Sequence, residues 1–138
     1  MAAPSRRRKK LHAAVTGAEG YLGRVLCRHL AGHPRIGNVL ALDRQSWSPP
    51  AGVQATQLDI NDPALVDLLR GTDAIFHLAF VLGSVGTDDQ ARRINLDGTR
   101  AVCEAAAAAG VRTLVVSSSV SAYGALADNP ARLRESDP

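Results

Sequence analysis

Apolar residues in this chain fall in short runs separated by stretches of helical spacing, and the two patterns alternate along the chain. "LHAAVT" (Leu11 to Thr16) reads as a short buried strand. Leu22, Val25, Leu26 and Leu30 then recur at helical intervals until Gly32 and Pro34 stop the helix. "NVLALD" (Asn38 to Asp43) predicts a second strand ending on a carboxylate, and "VQATQLDI" (Val53 to Ile60) a third. The segment between them, "RQSWSPPAG", is too short and proline-rich for a crossover helix and predicts a loop or one helical turn. In "NDPALVDLLRG", Asp62 suits an N-cap, Pro63 the first helical position and Gly71 the end. "DAIFHLA" (Asp73 to Ala79) predicts a fourth strand, followed by a glycine-bearing loop and a long helix from about Asp89 to Ala109, closed by Gly110. "RTLVVSS" (Arg112 to Ser118) predicts a fifth strand. Such alternation predicts an α/β fold: a doubly wound, mostly parallel sheet of the Rossmann kind, strand order 3-2-1-4-5.

Composition narrows the picture. The 138 residues suit one domain or part of one, and 46% hydrophobic residues suffice for a core. Aromatics are only 4%, so alanine, valine and leucine must fill it. The net charge of +3 comes from a tail in which Arg6, Arg7, Arg8, Lys9 and Lys10 supply five of the 16 basic residues. The rest carries 11 basic against 13 acidic residues, so residues 11–138 form the domain and 1–10 a solvated lead-in. Nucleic-acid association is expected, if at all, only through that tail. Cys27 and Cys103 show no metal-ligand spacing and are expected to be small buried hydrophobes; no metal site is predicted. No apolar run approaches membrane-spanning length and the first ten residues lack a secretory segment, so the expected compartment is the cytoplasm.

Three glycines stand where the first helix should begin. Gly17 is expected to make the tight turn after the first strand, Gly20 to let the backbone approach a ligand, and Gly23 to let the helix pack closely. Unpaired amides at a helix N-terminus suit a diphosphate. Asp43, twenty residues beyond Gly23 at the tip of the next strand, is placed to accept both ribose hydroxyls of an adenosine.

"TGAEGYLG" resembles the T-G-x-x-G-x-x-G fingerprint of the short-chain dehydrogenase/reductase superfamily, in its extended, epimerase/dehydratase branch. "LDIND" resembles the stretch in which Asp59 and the Ile60 backbone would hold adenine. "DAIFHLAF" resembles D-x-x-x-H-x-A-A with Phe80 in place of the second alanine, "INLDGT" resembles N-x-x-G-T, and "VVSSSVSAYG" resembles S-S-S-x-x-x-Y-G. The resemblance implies a cofactor set of Gly17, Gly20, Tyr21, Leu22, Gly23, Asp43, Arg44, Asp59, Ile60, Leu78, Ala79, Asn95 and Ser117, with Ser119 as the substrate-facing hydroxyl. Ala79 would act through its backbone, and Ser117 near the cofactor or in a structural role. His77 is either a satisfied core histidine or a general base, and Asn95 either a helix-kinking, water-holding residue or an exposed polar position.

The implied cofactor is NAD, because Asp43 would repel the 2′-phosphate of NADP; Arg44 beside it would partly offset this. The implied substrate is a small molecule, such as a nucleotide-sugar or another alcohol or ketone. The family's Tyr-x-x-x-Lys pair is missing: the only tyrosines are Tyr21 and Tyr123, and the only lysines Lys9 and Lys10. The expectation is therefore the cofactor-binding half of a larger oxidoreductase, truncated before a sixth strand and inactive alone. Three functions stay open: part of a hydride-transferring enzyme, an inactive dinucleotide-binding module, and nucleic-acid association. "TLVVSS" would then present an open apolar edge that invites a homodimer.

Overall fold

A computed structural model describes residues 9–81, 88–124 and 127–136. Most of the basic tail and part of the loop after the fourth strand lie outside these residues. Five parallel strands form one sheet: β1 (Leu11–Thr16), β2 (Ile36–Asp43), β3 (Val53–Gln57), β4 (Ala74–His77) and β5 (Thr113–Val116). Their order is β3-β2-β1-β4-β5, as the alternating pattern predicts. Register pairs Thr16 with Leu42 and His77, and His77 with Val116. The strands therefore end in one row, and the residues just beyond them share one rim.

Two clusters make the core. On one face, helix α1 (Tyr21–Gly32) buries Cys27 and Leu30 against Ala13, Val15, Val39 and Ala41. On the other, α2 (Leu65–Leu68) and α4 (Gly98–Ala109) bury Leu65, Val102, Ala105 and Ala106 against Ala14, Leu40, Leu42 and Ile75. No helix occupies residues 44–52; Trp47 of that loop packs on the α1 side instead. Small side chains let both helical layers sit close to the sheet, which is how an aromatic-poor chain fills its interior.

Several boundaries differ from the sequence pattern. β3 stops at Gln57 because the chain, after Leu58 N–H bonds Asp43 O at 2.8 Å, turns where the Asp59 carboxylate accepts from Asn61 N–H at 2.9 Å. α2 is a single turn. Asp62 Oδ1 accepts from Ala64 N–H at 2.9 Å, a local turn that delays the helix to Leu65, and Gly71 then leaves at φ +80°. The long helix is interrupted: α3 (Asp88–Arg92) and α4 are joined by a π-helical turn over Arg93–Asp97. Gly110, at φ 75°, ends α4 as expected, its N–H directed at Ala106 O and Ala107 O.

The buried strip of α1 is only in part the apolar one, since Leu30 is buried and Leu26 packs against the core while Leu22 and Val25 do not. Gly23, Cys27 and Leu30 face the sheet, whereas Leu22 and Val25 are 54% and 46% exposed. A β-carbon on Gly23 would lie 2.2 Å from Gly17 O and 2.7 Å from Ala18 Cα. The helix is thus seated on bare backbone, and that contact sets its rotation. Of the cysteines, Cys27 is buried as expected but Cys103 is exposed. The face of α4 turned to the sheet carries Gly98, Val102, Ala105 and Ala106, and Cys103 lies off it. The edge strand β5 exposes Val115 and Val116.

Two outcomes are expected. Gly23→Ala should destabilise the domain by about 1–3 kcal/mol, since backbone must move, while Gly32→Ala, with nothing within 4 Å, should be neutral or gain up to about 1 kcal/mol; urea unfolding checks both. In native protein, iodoacetamide should alkylate exposed Cys103 and spare Cys27, whose thiol burial pushes up to about 11; peptide mass mapping reads the difference.

Candidate functional site

The row of strand ends opens into a cleft with two connected compartments. They share Gly17, Gly20, Leu78 and Phe80. The smaller, about 240 Å³, runs over β2 and β3 and is walled by Asp43, Arg44, Asp59 and Ile60. The larger, about 830 Å³, runs toward β5 and is walled by Tyr21, Leu22, Ser117, Ser119 and Ala122. This is the topological switch point of the sheet, where β1 leads left to β2 and β4 lies to its right.

Close backbone contacts build the divide between them. Gly17 turns at φ +69°, and a β-carbon there would lie 2.7 Å from Ala79 N and Leu78 C. Only glycine lets the elbow lie against the end of β4. Gly20 precedes α1 and offers no side-chain acceptor to the helix's first amides. Those amides carry the positive end of the helix dipole toward the cleft.

Asp43 is held in place by the backbone. Its Oδ2 accepts from Glu19 N–H at 2.9 Å and its Oδ1 from Gln45 N–H at 3.0 Å. Each oxygen retains a lone pair for a further donor. Asp43 therefore ties the elbow to β2 while remaining able to accept a diol. Arg44 is exposed beside it, its carbonyl accepting from Gln57 Nε2 at 2.9 Å. Glu19, which the sequence did not single out, also lines this compartment.

A buried polar chain anchors the other side. His77 is 2% exposed. Its Nδ1 lies 2.6 Å from Thr16 Oγ1 and its Nε2 3.0 Å from Thr99 Oγ1. Thr99 donates its one hydroxyl hydrogen to Asn95 O at 2.6 Å. Nε2–H must then donate to Thr99, and Nδ1 accepts from the Thr16 hydroxyl, which fixes the neutral tautomer. Burial also pushes the imidazole below its ordinary value of 6.5. His77 is thus the satisfied core histidine of the two readings.

Asn95 matches the helix-kinking reading rather than the exposed polar one. It sits in the π-helical turn, so the helix is distorted there, but its amide is occupied by backbone: Oδ1 accepts from Val81 N–H at 2.8 Å and Nδ2–H donates to Val81 O at 3.0 Å. It is not a cleft-lining residue. It fixes Val81, which is. Gly98 sits tightly against Ile60, because a β-carbon would lie 2.5 Å from Ile60 Cδ1. The periodicity gives no sign of that contact, although Gly98 falls inside the "INLDGT" motif. Ser119 begins a 3₁₀ turn, its Oγ accepting from Ser121 N–H at 3.1 Å. Its own hydroxyl hydrogen stays available toward the larger compartment. Among the described residues no cluster of metal-ligating side chains occurs, and no helix is long and apolar enough to cross a membrane.

Comparison with known proteins gives the family. The family model for the NAD-dependent epimerase/dehydratase family matches residues 13–138.

The chain belongs to the NAD-dependent epimerase/dehydratase family.

Among curated members, the 2-alkyl-3-oxoalkanoate reductase of Stenotrophomonas maltophilia strain K279a is 37% identical over 112 residues, covering 78% of this chain and 33% of that protein. The ceramide reductase of Caulobacter vibrioides is 37% identical, covering 76% and 34%. The chain thus spans about a third of the length of the curated relatives it matches. Among solved structures, MoeE5 in complex with UDP-glucose and NAD is 37% identical with a TM-score of 0.72, over 82% of this chain and 38% of that one.

The His77 chain carries a pH signature. Below 6.5 the unfolded chain takes up a proton that buried His77 refuses, so the unfolded state gains. The contribution is complete above 6.5 and is lost as pH falls from 6.5 toward the lowered folded-state value. Urea midpoints at about pH 7.5 and about pH 5.5 should differ less in His77→Gln than in wild type.

Proposed function

We propose that the cleft holds NAD, with the diphosphate on the Gly17–Gly23 elbow, the adenosine ribose on Asp43, and adenine between Asp59, Ile60 and the elbow. What carries this reading is the elbow itself. Its glycines leave no β-carbon in the way, and the first amides of α1 face the shared divide of the cleft without a side-chain cap. The residues also fit the group chemically: a backbone-held carboxylate for a diol, and a half-apolar wall at Ile60 for a flat ring. Tyr21, Leu22 and Ser117 line the larger compartment on the nicotinamide side. NAD supplies a hydride acceptor or donor. The protein's part is to orient it and to present Ser119 to a substrate oxygen.

The reaction is a hydride transfer at an alcohol or ketone carbon of a small molecule, a nucleotide-sugar or another carbonyl compound. The two relatives named as reductases and the structure with UDP-glucose and NAD support that class. A second reading has a specific observation behind it. These 138 residues contain no Tyr-x-x-x-Lys, the pair that would move the proton. On that reading the chain binds the dinucleotide and does not turn substrate over.

Calorimetric titration separates the possibilities. NAD should bind the wild type, and NADP more weakly. Asp43→Ala should weaken NAD by about 10–100-fold, the scale of hydrogen bonds to a charged acceptor. Equal wild-type affinity for both dinucleotides would remove Asp43 from the ribose site, and no binding of either would overturn the cofactor reading. Hydride exchange with a panel of alcohols and ketones then distinguishes enzyme from binding module.

A further inference from the structure

Resting on the cofactor and hydride-transfer reading above, we infer that the larger compartment takes an uncharged ketone or alcohol with an apolar chain, its oxygen on Ser119 and its chain along Phe80 and Val116. The two compartments differ in charge. Glu19, Asp43, Arg44 and Asp59 wall the smaller one. Among the described residues, no Asp, Glu, Lys or Arg lines the larger. Its wall is built instead from Leu22, Leu78, Phe80, Val116 and Ala122, and its polar side chains are neutral hydroxyls. The stretches that supply most of that wall, 74–87 and 113–127, contain no Asp, Glu, Lys or Arg in their sequence.

Phe80 departs from the motif it sits in, standing where D-x-x-x-H-x-A-A has its last alanine. It lies at the divide shared by both compartments and is 54% exposed. Val116, at the end of β5, is 41% exposed and lines the larger compartment alone. Large apolar side chains left open in a cleft favour a ligand that covers them with apolar surface. A few polar groups in such a pocket then fix the ligand's orientation. Ser119 has the geometry for that part. Its Oγ accepts from Ser121 N–H at 3.1 Å, which leaves the hydroxyl hydrogen for a carbonyl oxygen. A nucleotide-sugar brings a diphosphate, whose charges would give up hydration here with no cation to replace it. An alkyl chain meets no such cost and gains with every methylene covered.

The test is calorimetric titration of methyl ketones of six, eight and ten carbons, and of UDP-glucose, into the full chain saturated with NAD. Oxidised NAD passes no hydride to a ketone, so binding is read without turnover. Affinity should rise about two- to fourfold per methylene, and UDP-glucose should bind more weakly than the ten-carbon ketone. Phe80→Ala and Val116→Ser should each flatten that rise. Ser119→Ala should weaken all three ketones by about three- to tenfold and keep the rise. Urea midpoints and NAD titration verify that each variant is folded and loaded; Val116→Ser carries the comparison if Phe80→Ala loses NAD. A wild type that binds NAD but no ketone overturns the inference alone. So does an affinity that ignores chain length, a rise unchanged in the wall variants, a Ser119→Ala without effect, or tighter binding of UDP-glucose. A wild type that does not bind NAD overturns the cofactor reading and this inference with it.

Discussion

The contact on which the rest of this structure depends is between bare backbones. Gly23, in the first turn of α1, lies against Gly17 O and Ala18 Cα so closely that even a methyl group would overlap them. Gly17 lies just as closely against Leu78 and Ala79 at the end of β4. The start of α1, the turn just before it and the end of β4 are thereby held at backbone separation. The start of α1 is pinned at the strand ends and its first amides are aimed across the rim. Side chains added later to this arrangement, Asp43 above all, find their positions relative to that fixed elbow.

A second constraint works from the opposite side. Thr16, His77, Thr99 and Asn95 form a continuous hydrogen-bonded line from the end of β1, through the end of β4, into the start of α4 and the π-helical turn. Asn95 extends the line to Val81. Buried polar groups are costly unless every member is paired, and here each donor in the line has an acceptor. The π-helical turn has a local purpose in this setting. It brings the Asn95 side chain to the strand-end loop while Gly98 keeps α4 against Ile60. The cleft is thus framed by glycine backbone on one side and by a locked imidazole on the other.

Much of this was legible from residue order. Apolar runs and their punctuation located five strands and gave the order β3-β2-β1-β4-β5, because right-handed crossovers leave few alternatives. Gly17, Gly20 and Asp43 stand out in the sequence because their residue types are conspicuous at strand ends, and the structure brings all three to one cleft. Less was visible where identity is uninformative. Leu22 and Val25 look like the core face of α1 and are not, since Gly23 turns that face outward. Cys103 looks like part of an alanine-rich interior and is exposed, because it lies off the face of α4 that buries Val102, Ala105 and Ala106. The two hydrogen bonds by which Asn95 holds Val81 are invisible in residue order, because the partners meet only across the strand-end rim.

The sequence by itself determined the sheet, the glycine elbow and the presence of a carboxylate beyond β2, because local propensity and hydrophobic period act between near neighbours. Tertiary structure alone decided how α1 is rotated, which tautomer His77 adopts, and that Glu19 and Arg24 pair beside Asp43. The tautomer, and the placing of the Glu19–Arg24 pair beside Asp43, depend on segments that are close only after the sheet has assembled. The rotation of α1 rests on nearer neighbours, Gly23 against Gly17 and Ala18, but it is set by backbone contact over a few ångströms, which hydrophobic spacing does not report.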